Sequence, residues 1–150
     1  MRIEEEIRQA SFKSEAHKAN LNVMFTGGWL NARTSQVLKP YKLSHQQYNV
    51  LRILRGSPGH AANLCDIPVK MLDRMSNATR LVEKLRLKGL LTRETCSENR
   101  RKVDIRLTDR GLQLLSSLDD TLIRLHAEGA KRLSEAEAAQ LNALLDKMRG

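Results

Sequence analysis

Residues 76–95 read Ser76-Asn77-Ala78-Thr79-Arg80-Leu81-Val82-Glu83-Lys84-Leu85-Arg86-Leu87-Lys88-Gly89-Leu90-Leu91-Thr92-Arg93-Glu94-Thr95. Two periods meet in this stretch. Ala78, Leu81, Val82 and Leu85 fall at i, i+3, i+4 and i+7, which is the spacing of an amphipathic helix. Asn77, Arg80, Lys84 and Lys88 occupy the opposite face, so the helix has one apolar side and one basic, hydrogen-bonding side. Ser76 is the expected N-cap, and Gly89 is the expected C-terminal stop. From Leu90 the period becomes two. Leu90–Thr95 reads as a strand, and Val103, Ile105 and Leu107 alternate with Asp104 and Arg106 as a half-buried partner. Between them lies Cys96-Ser97-Glu98-Asn99-Arg100-Arg101-Lys102. The pattern is a helix followed by a β-hairpin with a charged tip.

Working outward, Ser44-His45-Gln46-Gln47 matches a capping box, and the helix it starts carries Tyr48, Leu51 and Leu54 on one face. Gly56-Ser57-Pro58-Gly59 stops that helix. Residues 61–70 read as a short helix around Leu64 and Ile67, with Pro68 weakening its last turn. Residues 3–39 read as one long helix with a kink at Gly27-Gly28, ended by Pro40. On the C-terminal side Thr108 caps a helix bearing Leu115, Leu118, Leu122 and Leu125, which Gly129 weakens at its end. Ser134-Glu135-Ala136-Glu137 is a second capping box, leading to a stripe of Leu141, Leu144, Leu145 and Met148. The expected architecture is mainly α with a small β-hairpin wing, organised as one domain over 1–150. Residues 43–110 form its compact middle. Residues 1–42 and 111–150 carry apolar stripes with no obvious partner within the chain except each other. Stripes of that size mark an interface, and a homodimer built from both ends is the economical solution.

Charge narrows the function. The 150 residues carry 26 Lys and Arg against 17 Asp and Glu, for a formal charge of +9. Residues 70–110 hold 12 of the basic and 6 of the acidic residues, a net +6. A basic excess focused on one helix and one hairpin suggests a polyanionic partner. Hydrophobic residues make up 41% of the chain, enough for a core. No apolar run approaches the ~18–20 residues that span a bilayer. The N-terminus, Met1-Arg2-Ile3-Glu4-Glu5-Glu6, lacks the apolar segment of a secretory signal, so no membrane partner is expected. Cys65 and Cys96 are too few for a disulfide scaffold and fit a reducing compartment. Five aromatics (Phe12, Phe25, Trp29, Tyr41, Tyr48) do not make a stacking platform for single strands. His17, His45, His60 and His126 are scattered, and no H-E-x-x-H, G-x-S-x-G, P-loop or G-x-G-x-x-G occurs. The cysteines form no C-x-x-C pair. An enzyme, a metal site and a cofactor are therefore not expected.

Helix–turn–helix followed by a basic hairpin is a winged helix-turn-helix. In detail the sequence resembles the MarR (multiple antibiotic resistance regulator) family of bacterial transcription factors. The residues that carry the resemblance are Leu43-Ser44-His45-Gln46-Gln47-Tyr48-Asn49-Val50-Leu51, Met75 to Leu85, Lys88-Gly89-Leu90-Leu91-Thr92-Arg93, Asn99-Arg100-Arg101, and Leu107-Thr108-Asp109-Arg110-Gly111. The family wing usually places an Asp two residues before its arginine. Here that position is Asn99, which accepts a hydrogen bond but forms no salt bridge. Either Arg101 is held less rigidly or Glu98 substitutes.

The resemblance implies a cytoplasmic regulator that binds double-stranded DNA as a homodimer, commonly as a repressor. The helix from Ser76 to Lys88 suits the major groove, which admits one α-helix. Its N-terminal residues reach base edges, so Ser76, Asn77 and Thr79 are assigned to base or phosphate contacts. Arg80 is assigned to a bidentate guanine contact and Lys84 to phosphate. Arg101 suits a narrow minor groove, with Arg100 and Lys102 on the backbone. Arg93 either reaches phosphate or pins the base of the wing. Many members of the family release DNA when a small, often aromatic, anion binds between the dimer helices and the reading domain. Phe25, Trp29, Arg33, Tyr48 and Arg52 are the candidate lining here, the alternative being that Trp29 and Tyr48 are core or interface aromatics. A redox switch at Cys96, which opens the basic loop, is a competing mechanism, and Cys65, beside Leu64, is expected to be buried. A non-specific architectural DNA-binding protein shares the same fold and charge.

Overall fold

The computed structural model describes residues 1–95 and 103–150. Helix α1 (Ile3–Glu6) is a single turn that buries Ile3 and joins α2 through the Lys18 ammonium, 2.5 Å from Glu4 Oε1. The long N-terminal helix expected from the sequence is in fact two. The break falls after Ile7, where Arg8 turns left-handed at φ 53°, and α2 (Glu15–Leu38) restarts at Ser14, whose hydroxyl accepts from His17 N. Gly27 and Gly28 do not kink α2. Two helical glycines cost about 1 kcal/mol each relative to alanine without breaking the helix, and α2 packs on α3 (His45–Arg55) and α6 (Asp109–Ala130), burying Thr34 and Leu38.

Lys39–Tyr41 form one 3-10 turn at Pro40, and Lys42 exits at φ 54° into the capping box of α3. There Gln47 N donates to Ser44 Oγ at 3.1 Å and Ser44 N donates to Gln47 Oε1 at 3.0 Å. Val50, Leu51 and Leu54 are fully buried. Residues 61–70 are not one helix. Ala61–Asn63 form strand β1, Leu64–Asp66 a 3-10 turn, and Ile67–Lys70 the short helix α4, with Pro68 in its first turn. Proline is tolerated there because its missing N–H has no helical partner. Strand β1 pairs antiparallel with β3 (Val103–Leu107), which pairs with β2 (Leu91–Thr95), so the sheet has three strands in the order β1-β3-β2. Leu91 faces Leu107 and Arg93 faces Ile105.

Helix α5 (Ala78–Leu87) buries Ala78, Val82 and Leu85, with Leu81 half-buried at the core's edge. It ends in a Schellman motif: Leu90 N donates to Leu85 O and Gly89 N to Arg86 O, with Gly89 at φ 70°. Thr108 caps α6 by accepting from Gly111 N at 3.1 Å, and its hydroxyl donates to Gly89 O at 2.8 Å. A Cβ on Gly111 would lie 2.2 Å from Leu90 O. The first turn of α6 therefore rests directly on the backbone where α5 turns into β2. Helix α7 (Glu135–Arg149) starts at the Ser134/Glu137 capping box and has no buried residue. The core, around Leu38, Leu51, Ile67, Leu85, Ile105 and Leu115, fixes α5 to the sheet on one side and to α3 on the other.

Candidate nucleic-acid interface

The segment ahead of α5 is organised by one carboxylate. Asp73 accepts from Met75 N at 3.1 Å through Oδ1 and from the Ser76 hydroxyl at 2.8 Å through Oδ2. These bonds, the Ser76 hydroxyl first, hold its carboxyl below the usual range. Ser76 is thus not the N-cap. Asn77 is: its Oδ1 accepts from Arg80 N at 3.0 Å. Asp73 takes the Ser76 side chain and shifts the cap by one residue. Asn77 is exposed, and its Nδ2 has no partner among the described residues.

Thr79 and Arg80 project to solvent in the first turn of α5. Among the described residues the Arg80 guanidinium makes neither an ion pair nor a hydrogen bond. The helix's one carboxylate is neutralised on its own surface. Arg86 grips Glu83 bidentately at 2.7 and 3.0 Å, which lowers the Glu83 pKa and raises that of Arg86. Arg93 on β2 is exposed and adds its charge near Glu83, so the strand's guanidinium flanks α5. Lys84 is exposed on the side toward α3, in an open groove of about 690 Å³ that it shares with Lys39, Lys42 and Lys88. The Lys88 ammonium donates to Lys42 O and lies 3.4 Å from Gln47 Oε1. Burial, followed by the neighbouring Lys84 and Lys42, pushes its pKa down. On the opposite edge of the sheet Arg106 Nη1 donates to Gly59 O at 2.7 Å and ties β3 to the turn before β1. Asn99, Arg100, Arg101, Lys102 and Cys96 lie outside the described residues.

A cleft of about 210 Å³ opens between α2, α3, α6 and the segment after α4. Its apolar walls are Leu30, Leu72 and Leu125, and its polar groups include Arg33, His45 and His126. Of the five lining residues expected from the sequence, Arg33 is on this wall. Its guanidinium also stacks 4.8 Å from the Trp29 ring centroid and reaches Glu128 at 3.1 Å. Phe25 and Trp29 are exposed on α2, and Arg52 is exposed on α3. Tyr48 packs half-buried against the core, and burial raises its hydroxyl pKa. His45 and His126 escaped the sequence reading because isolated histidines carry no spacing signal; only the fold brings them together. Burial first, then Arg52 and His126, holds the His45 imidazole below its usual pKa. Cys65, expected to be buried, is exposed, because the residue follows β1 in an outer 3-10 turn rather than lying within a helix. Among the described residues no cluster of three or more His, Cys, Asp or Glu could hold a metal ion, and no helix is long and apolar enough to cross a membrane.

The MarR family model matches residues 43–103. The HTH-type transcriptional regulator PecS of Dickeya dadantii is 30% identical over 115 residues, which are 75% of this chain and 69% of that protein. The crystal structure of a MarR transcription factor from Planctomyces limnophilus is 32% identical and superposes with a TM-score of 0.67, covering 91% of this chain and 98% of that one. This chain belongs to the MarR family. It is a transcriptional regulator of MarR type that binds DNA, with a winged-helix fold. A further relative, from Thauera aromatica, is 29% identical over 101 residues, and the match spans 60% of that protein's length. The order α4, α5, β2, β3 is that of a winged helix-turn-helix.

Proposed function

We propose that this MarR-family chain is a ligand-responsive repressor that binds a pseudo-palindromic operator as a homodimer, with α5 reading the major groove. The observation that carries this reading is the first turn of α5. Asn77 is committed to the cap by its oxygen alone, Thr79 and Arg80 face solvent, and the only acid of the helix is paired with Arg86. Arg80 serves guanine, and Ser76, Asn77 and Thr79 serve neighbouring bases or phosphates. Lys84 and Arg93 serve the backbone. Arg100, Arg101 and Lys102, outside the described residues, serve the minor groove and its flanks. The dimer reading is supported by α7, whose Leu141, Leu144 and Met148 are exposed to about half among the described residues, and by exposed Met24, Phe25 and Trp29 on α2. A twofold dimer spaces its two α5 helices about one DNA turn apart.

The cleft between α2, α3 and α6 is the proposed effector site, suited to a small anion with an apolar body. Its wall residue Leu72 has its backbone N–H held by Asn49 Oδ1 at 2.9 Å and stands directly before Asp73, which organises the entry to α5. Occupancy of the cleft thereby acts on the same short segment that positions Asn77.

The test is fluorescence anisotropy on DNA from upstream of the chain's own gene and on a scrambled duplex, each across a salt series. Preference of ~10³ or more for the first supports a specific regulator. Equal, salt-sensitive binding to both points to an architectural protein. Arg80→Ala is expected to cost about 1–3 kcal/mol at one base position; an equal loss on every sequence makes Arg80 a phosphate contact. Sedimentation at twice the monomer mass is expected, and a stable monomer removes the palindrome.

A further inference from the structure

Met75 is 95% exposed, more than any other large apolar side chain among the described residues. It does not sit on a frayed terminus. The Asp73 carboxylate accepts its backbone N–H at 3.1 Å and the next residue's hydroxyl at 2.8 Å, and Ser76 N donates to Asp73 O at 3.3 Å. This turn holds Met75 outward, two residues before the Asn77 cap of the reading helix. A methionine held in water gains nothing from burial within the chain, so an apolar partner at this position would recover that burial. Its surroundings name that partner's chemistry. The adjoining first turn presents exposed Thr79 and Arg80, and the groove that admits such a helix end carries one apolar feature at its floor, the C5-methyl of thymine. Methionine, unbranched and polarisable, adapts its thioether to such a small apolar target.

We infer that Met75 is a specificity-determining residue that packs on a thymine methyl group in the major groove beside the bases read by Arg80. The inference rests on the reading of α5 as the recognition helix. The polar residues of α5 discriminate by hydrogen bonds, and Met75 adds a preference for thymine over cytosine at a neighbouring position.

The full-length protein is first used to select its preferred site from random duplex DNA. Each thymine of that site is then replaced singly by deoxyuridine, which removes the methyl and leaves the pairing edge intact. Affinities are measured for the wild type, Met75→Ala, Met75→Leu and Arg80→Ala, with circular dichroism as the folding control. At one thymine per half-site, deoxyuridine is expected to weaken the wild type roughly fourfold, the equivalent of ~0.8 kcal/mol for one buried methyl. Met75→Ala loses a similar factor on the thymine site and becomes indifferent to the replacement there, while Met75→Leu keeps the sensitivity. A selected site without thymine, no selected site, or a wild-type methyl effect that persists in Met75→Ala overturns the inference. Arg80→Ala separates the two levels. If it weakens binding while the Met75 cycle shows no coupling, only the inference about Met75 fails. If it too changes nothing, the reading of α5 fails with it.

Discussion

Replacing Gly111 by alanine tests how the wing is rooted. The added Cβ would meet Leu90 O at 2.2 Å and Leu107 Cδ2 at 3.1 Å. Ordinary carbon–oxygen contact requires about 1 Å more. The close neighbour is backbone, so α6 must lift away from the α5–β2 junction. Overpacking of this kind costs about 1–3 kcal/mol. The lift also stretches two hydrogen bonds that cross the junction, Thr108 N to Leu90 O at 3.2 Å and Thr108 Oγ1 to Gly89 O at 2.8 Å, worth about 1 kcal/mol each. The expected loss is about 4 kcal/mol, or roughly 8–16 °C in Tm for a chain of this size. Urea and thermal unfolding followed by circular dichroism would measure it. Gly28→Ala is the internal contrast: a Cβ there meets nothing within 4 Å, so helix propensity alone predicts a gain of up to about 1 kcal/mol. Gly111→Ala unfolding within about 0.5 kcal/mol of the wild type would refute the packing argument. A loss at Gly28 would place a second chain against α2.

Asn77→Ala removes the α5 cap and is expected to cost about 1 kcal/mol of stability, whereas Asn77→Asp keeps the cap and weakens DNA binding by bringing a carboxylate to the phosphates; chemical denaturation and anisotropy separate the two effects. Lys84→Gln should flatten the dependence of log affinity on log salt by about 0.9 if Lys84 neutralises one phosphate, and an unchanged slope assigns the lysine groove to something other than the DNA backbone. His45 is held below its unfolded value of 6.5 by burial and by Arg52 and His126, so the unfolded chain binds the proton first. Stability is then full above pH 6.5 and falls as the pH drops from there toward the lowered folded value. Tm measured between pH 8 and 5 should show this fall, and His45→Gln should reduce it.

The parts of the fold that were legible from sequence are those where one local signal decides the structure. The capping boxes at Ser44 and Ser134, the 3.6 period of α5, the Gly89 stop and the alternation of Val103, Ile105 and Leu107 all appear in place. The misreadings share a different cause. Strand β1 is only Ala61-Ala62-Asn63, too short and too weakly apolar to alternate, and it exists because β3 offers an open edge. The passage of α2 through Gly27-Gly28 shows that a glycine pair lowers helix propensity without breaking the helix. Ser76 looked like a cap because the competing bond to Asp73 is a matter of turn geometry.

The same division explains the candidate site. The exposed placement of Arg80, Lys84 and Arg93 was legible because charge on one helix face and one strand is a sequence pattern. The cleft proposed for an effector was only partly legible, because its wall is assembled from α2, α3, α6 and the residue after Met71, and three of its polar groups, Arg33, His45 and His126, come from three different helices. A recognition surface carried by one element can be read along the chain, whereas a cavity between elements requires their packing. The aromatic residues, chosen from sequence as pocket walls, illustrate the difference. Phe25 and Trp29 sit on the outer face of α2, where Trp29 supports Arg33 from beside the cleft. The smaller Leu30 and Leu72 form the wall, because α2 turns by about 100° per residue and a single-residue step from 29 to 30 carries the side chain to a different face.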